Sequence, residues 1–399
     1  MMLIKPDGPP TLADQPWERS RLEWYAGDGG DPAALVEDFL AEHGLPVRNL
    51  ADSGRAGSGS GAVRVGSGAA AAQSGVAGAT LFFSAAAAAR AIGAPAGPAS
   101  PAPAVPDVVA VVWESSPPPP APAPGPASAG WRLGPWRPSW TPSRHAAAVT
   151  EVREAIGRGD VYQVNLVGHA SAEYQGDPLP ALRRVTALPG ARHAGLLRGA
   201  GWAVACASPE TLLAVAGGRV ATGPIKGTRP ATPAGRAQLL DSVKERAEHI
   251  MIVDLARNDL ARVAITGTVG VDELYAVRRW CDLWQAESVV SAGLGDGTGL
   301  AELLRAVCPG GSVTGAPKRA ALELIAAIEP VGRGASMGAL GWVGPDRIDL
   351  GLTIRTAAAD AHRVHVWAGG GITWGSDPAA EVAEAAAKAA PLRAALAGR

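Results

Sequence analysis

The sequence predicts an α+β protein built on large, mostly antiparallel sheets. Three observations carry this. Short hairpin-like strands are followed by blocks of helix and do not alternate with them one by one. Of the 399 residues, 47% are hydrophobic, enough to bury a large core as one domain or as two closely packed halves. No internal repeat is present.

In chain order, Met1 to Ser20 carries Asp7, Pro9, Pro10 and Asp14 where a secretory signal needs a continuous apolar stretch, so no export is expected. Val76 to Ala89 comes closest to a membrane span, but it is short, alanine-rich and broken by Ser84, and it reads as a buried helix or strand pair. Gly93 to Gly130 contains Pro117 to Pro120 in a row with alternating Ala-Pro around them, a linker or long surface excursion in extended polyproline form. Within it, the β-branched run Val108 to Val112 is long enough for one buried strand and is expected to tie the N-terminal region to the main sheet. Gly, Ala, Ser and Pro dominate up to about residue 144 and the motifs follow, so an N-terminal region, 1–136, precedes a catalytic region, 137–397.

Thr141-Pro142 is an N-cap with proline at the first helical position, and helical periodicity runs from there to Gly157. Strands are expected over 161–167, 201–207, 219–222, 339–343, 348–356 and 363–368, and helices over 234–258, 299–307, 318–328 and 379–397.

With 36 basic and 37 acidic side chains the formal charge is −1, which offers neither a basic field for nucleic acid nor an acidic tail. Cys206, Cys281 and Cys308 show no Cys-x-x-Cys spacing, so neither a zinc site nor a disulfide framework is indicated and a reducing cytoplasm fits.

Five lysines stand beside 31 arginines, and one of them, Lys226, lies at the centre of Thr222-Gly-Pro-Ile-Lys-Gly-Thr-Arg-Pro230. An arginine cannot shed its proton at a useful pH, whereas a lysine among apolar and glycine neighbours can be desolvated and used as a nucleophile. Read in isolation, the same segment is an exposed Gly/Pro turn. Two helical segments each present glutamates three residues apart, Glu245 with Glu248 and Glu381 with Glu384, each pair on one helix face. A divalent cation between the helices would relieve their repulsion, and Mg²⁺ suits an all-oxygen site. Alone, Lys244 with Glu248 and Glu384 with Lys388 read as ordinary surface ion pairs at four-residue spacing.

Glycine-rich turns are expected after strands at Pro309-Gly-Gly-Ser312 and Gly369-Gly370-Gly371, where exposed amides could cradle an anion. The first runs into Thr314-Gly-Ala-Pro-Lys318, so Ser312 and Thr314 are candidate substrate contacts, but its lysine comes too late for a nucleotide loop. Arg355, read in the strand 352–356, could grip a carboxylate with both arms. Glu210, in Ser208-Pro-Glu210 at the end of an apolar strand, is placed where its pKa would rise, which suits a general acid. No nucleophile elbow or reactive cysteine suggests a glutaminase, so ammonia, if used, comes from another chain.

In order, Gly159-Asp-Val-Tyr-Gln-Val-Asn-Leu166, Ser208-Pro-Glu210, Gly223-Pro-Ile-Lys-Gly-Thr228, Ala247-Glu-His-Ile-Met-Ile-Val-Asp-Leu-Ala-Arg-Asn-Asp259, Pro309-Gly-Gly-Ser-Val-Thr-Gly-Ala-Pro-Lys318, Ile354-Arg-Thr356 and Gly369-Gly-Gly-Ile372 resemble the chorismate-utilising enzymes over about residues 137 to 397. The resemblance implies a layered α/β/β/α sandwich of two large sheets with the active site between them. It also implies that Glu248 and Glu384 bind Mg²⁺, with Glu245 and Glu381 assisting through water, and that the ion holds the ring carboxylate of chorismate. Gly369, Gly370, Gly371 and Arg355 would hold the enolpyruvyl carboxylate, Thr228 would touch the substrate, and Glu210 would help the ring hydroxyl leave. In relatives with this lysine motif, the amine forms a covalent adduct that ammonia from a glutamine amidotransferase subunit displaces. The product is then 4-amino-4-deoxychorismate, towards 4-aminobenzoate. Anthranilate-forming relatives usually carry alanine at Lys226, and isochorismate-forming ones a lysine base at Gln163. The Leu-Leu-Glu-Ser feedback signature is absent. An anthranilate synthase component I and an inactive binding or regulatory relative are the alternatives. The chain departs from the family at Ala231, at Gln285-Ala-Glu-Ser288 and at Trp342.

Overall fold

The strand Trp202–Ser208 shows how the layers arise. Trp202, Val204 and Cys206 join the largest hydrophobic cluster, while Ala203, Ala205 and Ala207 point the other way into a second cluster against helices. Period-two alternation with apolar residues on both faces is what a strand covered on both sides requires. The computed structural model describes residues 18–52, 75–114 and 130–398. The Pro117 to Pro120 run and the stretch Met1 to Trp17 lie outside them.

Two antiparallel sheets organise the chain. The ten-stranded sheet runs, by neighbour, through Glu18–Trp24, Val108–Glu114, Val76–Phe83, Ala339–Val343, Arg347–Leu352, Thr211–Ala216, Arg219–Gly223, Leu283–Gly293 and Ile225–Pro230, with Gly270–Trp280 also paired to Leu283–Gly293. In the eight-stranded sheet the order is Gly315–Ala316, Gln163–Gln175, Arg363–Ile372, Thr356–Ala359, Trp202–Ser208 and His193–Gly199, with two short strands, Arg132–Leu133 and Arg137–Pro138, on the long strand Gln163–Gln175. Residues of both sheets share the largest core cluster, so the sheets face each other. Helices Pro32–Glu42, Ala85–Ala91 and Leu300–Val307 add to that cluster from outside the ten-stranded sheet, and Leu179–Thr186 and Pro378–Ala397 cover the eight-stranded one. The result is the expected α+β layered sandwich. Among the described residues no helix is long and apolar enough to cross a membrane.

Several expectations are corrected. Val76 to Ala89 is a strand followed by a short helix, divided at Ser84, whose Oγ caps the helix by accepting from Ala87 N. The single helix expected over 234–258 is two, Pro233–Asp241 and Val243–Ala261. Ser242, extended at ψ 107°, ends the first and caps the second through a bond from Glu245 N. The pattern Ser242-x-x-Glu245 is itself a helix-start signal. Arg355 lies between strands that end at Leu352 and begin at Thr356. Gly369 to Gly371 belong to the strand Arg363–Ile372 and form no turn, and Pro309 to Ser312 follow a helix, Leu300–Val307. Val108 to Val112 forms the expected strand and joins the N-terminal region to the ten-stranded sheet.

Candidate active site

Lys226 is not on a turn: it lies in the strand Ile225–Pro230, paired with Ala286, and a register shift between Lys226 and Thr228 accommodates Gly227 at φ +78°. Its amine reaches away from the ten-stranded sheet and donates to the Ser312 carbonyl at 3.2 Å. The side chain keeps some surface open to a cleft of about 100 Å³, while protein crowds the ammonium. Burial lowers its pKa, Lys388 lowers it further, and the carboxylates of Glu248, Glu210 and Glu384 pull the other way.

Ser312 links this amine to the acid. Its Oγ donates to Glu210 Oε1 at 2.6 Å, and the Glu210 carboxyl, 5% exposed, has its pKa pushed up to about 7 by burial against the opposing pull of Ser312 and Lys226. The strand Trp202–Ser208 and Pro209 after it place Glu210, whose amide donates to Ser208 Oγ at 3.1 Å.

All four predicted glutamates, Glu245, Glu248, Glu381 and Glu384, line the same cleft. The anticipated ion pairs exist too, Lys244 with Glu248 at 3.7 Å and Lys388 with Glu384 at 2.6 Å; all four residues line the cleft, Lys388 largely buried there and Lys244 at its solvent-exposed edge. Lys388 also donates to the Gly369 carbonyl at 3.0 Å and holds the Glu384 carboxyl below the usual carboxylate range. Glu248 accepts from Thr373 Oγ1, Glu245 pairs with Arg229 at 2.9 Å, and Glu381 accepts from Ser376 Oγ with a pKa raised by burial. Among the described residues no group of three or more His, Cys, Asp or Glu side chains forms a ready-made cation cage. A hard cation that keeps several waters needs only one or two protein carboxylates, so the oxygen-only set fits Mg²⁺ in chemistry and location.

The bare strand Gly369 to Gly371 separates these groups. A Cβ on Gly370 would come within 2.9 Å of Glu381 Oε2, whereas one on Gly371 would collide with the Lys226 amine and lie 3.0 Å from Gln163 Nε2. Gly369 and Gly371 line the cleft. Arg355, at φ +55° and 7% exposed, stacks on Trp280 at 4.6 Å and also lines it, with Nε unpartnered among the described residues. Burial lowers its pKa to about 10, which leaves it cationic at neutrality.

Thr228 and Ser312 line the cleft as well. Thr314 does not: its hydroxyl is spent on the Gly310 carbonyl at 2.8 Å. Gln163 sits behind the lining, fully buried with both amide atoms unpaired among the described residues. Lys244, Lys388, Asn165, Met337 and Trp367 also line the cleft, although none of them is a site residue expected from the sequence. For the two lysines a signal existed: in a chain that prefers arginine, three of its five lysines face this cleft. Met337, at φ +63°, gave none.

A cleft between two antiparallel sheets, where four carboxylates and a raised-pKa acid face three lysines and Arg355, is a polar site of the kind that binds and transforms a small charged molecule. The model of the chorismate binding enzyme family matches residues 99–394, and the chain belongs to that family. Aminodeoxychorismate synthase component 1 of Salmonella typhimurium is 38% identical over 256 residues, 62% of this chain and 56% of that protein. Anthranilate synthase component 1 of Streptomyces coelicolor is 40% identical over 258 residues, 62% of this chain and 50% of that one. The chain thus spans about half the length of these curated relatives. The crystal structure of anthranilate synthase component I from Streptococcus pneumoniae superposes with a TM-score of 0.75 at 24% identity, covering 95% of this chain and 91% of that one. For the menaquinone-specific isochorismate synthase of Escherichia coli the TM-score is 0.62 at 16% identity, covering 96% and 95%. These two establish a shared fold.

Proposed function

We propose that this chain is the chorismate-aminating component of an aminodeoxychorismate synthase, taking ammonia from a glutamine amidotransferase partner and releasing 4-amino-4-deoxychorismate. One observation carries the reading: the Lys226 amine and the Glu210 acid meet the two sides of Ser312, with proton affinities shifted towards each other by burial. Burial works against both charges and so shifts the pair towards a free amine beside a protonated carboxyl, the pair that nucleophilic displacement of a hydroxyl needs.

The steps balance. The Lys226 amine attacks the ring carbon conjugated to the hydroxyl-bearing carbon, a C–N bond forms, the diene shifts, and the hydroxyl leaves as water with the proton of Glu210. Ammonia then adds at the carbon that lost the hydroxyl and gives up a proton that restores Glu210, both double bonds shift back, and the lysine departs as the free amine. Arg355 and the amides of Gly369 and Gly371 orient the enolpyruvyl carboxylate. Glu248 and Glu384 would hold Mg²⁺, with Glu245 and Glu381 through water. Bound there, the ion supplies positive charge for the ring carboxylate.

Relatives of similar identity carry the anthranilate-forming activity, so the discrimination rests on Lys226 and Gln163. Incubation with chorismate, Mg²⁺ and an ammonium salt is expected to give a product that a lyase converts to 4-aminobenzoate. Direct formation of anthranilate would overturn the reading. Lys226→Ala is expected to abolish para-amination while chorismate still binds, and full para-amination by that variant would refute the covalent step.

A further inference from the structure

We infer that Asn165 is a substrate-contacting residue whose side-chain amide donates a hydrogen bond to the ring hydroxyl that leaves, aiming it at Glu210. The choice of hydroxyl rests on the function proposed above; the placement of the amide does not. Asn165 lines the cleft, is 5% exposed, and its Nδ2 has no hydrogen-bond partner among the described residues. A buried amide donor without a partner costs free energy that an arriving acceptor recovers.

The register says where the amide stands. Asn165 pairs with Gly371 across the antiparallel ladder, so the two share a face of the sheet. The space above Gly371 is the space the Lys226 amine fills. Asn165 is therefore one cross-strand spacing, about 5 Å between Cβ positions, from the place above Gly371 that the Lys226 amine occupies. Its backbone is pinned on both sides: its N–H donates to the Thr314 carbonyl at 2.7 Å, and its carbonyl accepts from Arg333 Nη2 at 2.8 Å. The same guanidinium donates through Nη1 to the Val313 carbonyl at 2.6 Å and is itself held by Glu329. Val313 adjoins Ser312, which donates to Glu210. One buried arginine thus registers the amide against the acid.

The donor needs an oxygen acceptor. Arg355 and a cation held by the glutamates would take the substrate's two carboxylates, which leaves the hydroxyl for the end of the cleft shared by Lys226 and Glu210. A site that hydrogen-bonds a hydroxyl discriminates strongly against the analogue lacking it.

The test is a binding cycle. Asn165→Leu keeps the volume and removes the donor, and chorismate is expected to bind it about 10- to 100-fold more weakly than the unchanged chain. A chorismate analogue without the ring hydroxyl is expected to bind both proteins equally, a result that a merely structural role would not give. Equal chorismate affinity, or an equal loss for the two ligands, overturns the inference. Should Asn165→Leu fail to fold, Asn165→Ser, which opens space instead of filling it, runs the same cycle. Because the readout is affinity, anthranilate as the turnover product would sink the amination reading without deciding this one.

Discussion

Glu210 and Lys226 have their proton affinities shifted by one cause, removal from water, which raises the acid and lowers the base. Burial pushes the Glu210 pKa up to about 7, so if Glu210 is the acid, kcat/KM is expected to fall on the alkaline side as Glu210 ionises. Glu210→Gln should lower the rate by roughly 10²- to 10⁴-fold and erase the alkaline limb, measured as a pH–rate profile. An unchanged alkaline limb would remove Glu210 from the acid role. Lys226 stood out in the sequence because arginine dominates around it, and Glu210 because an apolar strand precedes it. Asn165 and Met337 were not legible, since neither an unpaired amide nor a positive φ leaves a mark on composition or period.

Among the elements, the glycine strand has the sharpest consequence. Gly371→Ala would put a methyl where the Lys226 amine sits, and it is expected to suppress adduct formation with little change in the thermal midpoint. A fully active Gly371→Ala enzyme would mean the amine works from another position. The Glu329–Arg333 pair, both members buried, ties the loop at Val313 to the long strand at Asn165 and Val167. Arg333→Met strands a buried carboxylate and should cost roughly 3–5 kcal/mol by denaturant unfolding, with much of it recovered when Glu329 is also made apolar. Helices with clean periodicity, such as Lys318–Ile328, were legible. Two strands beside the cleft were not. Leu283–Gly293 buries Gln285, Glu287 and Ser288, which breaks the apolar alternation, and Ile225–Pro230 contains the glycine and proline that ordinarily mark a turn.

At the scale of the whole molecule, the site exists because the two sheets face each other. Lys226 comes from the ten-stranded sheet and Gly369 to Gly371 from the eight-stranded one. Glu287, buried on the first, pairs with Arg192 beside the second and also with Arg278 at 2.6 Å. The layered class was legible from the order of strands and helix blocks, but the pairing of the N-terminal strands was only partly so, because Glu18–Trp24 is short and polar. Those strands bring Phe82, Phe83 and Val108 to Val112 into the shared core, so removal of residues 1–114 is expected to give aggregated protein by size-exclusion chromatography. A soluble, active fragment would show that the sheet tolerates their loss. The central claim is that an amine from one sheet reaches the ring held against the other. Intact-mass spectrometry of the chain exposed to chorismate and Mg²⁺ without ammonia tests it most directly. The account predicts added mass equal to chorismate less one water, mapped to the peptide bearing Lys226 and absent from Lys226→Ala; para-amination by a protein that never carries that mass under single-turnover conditions would contradict it.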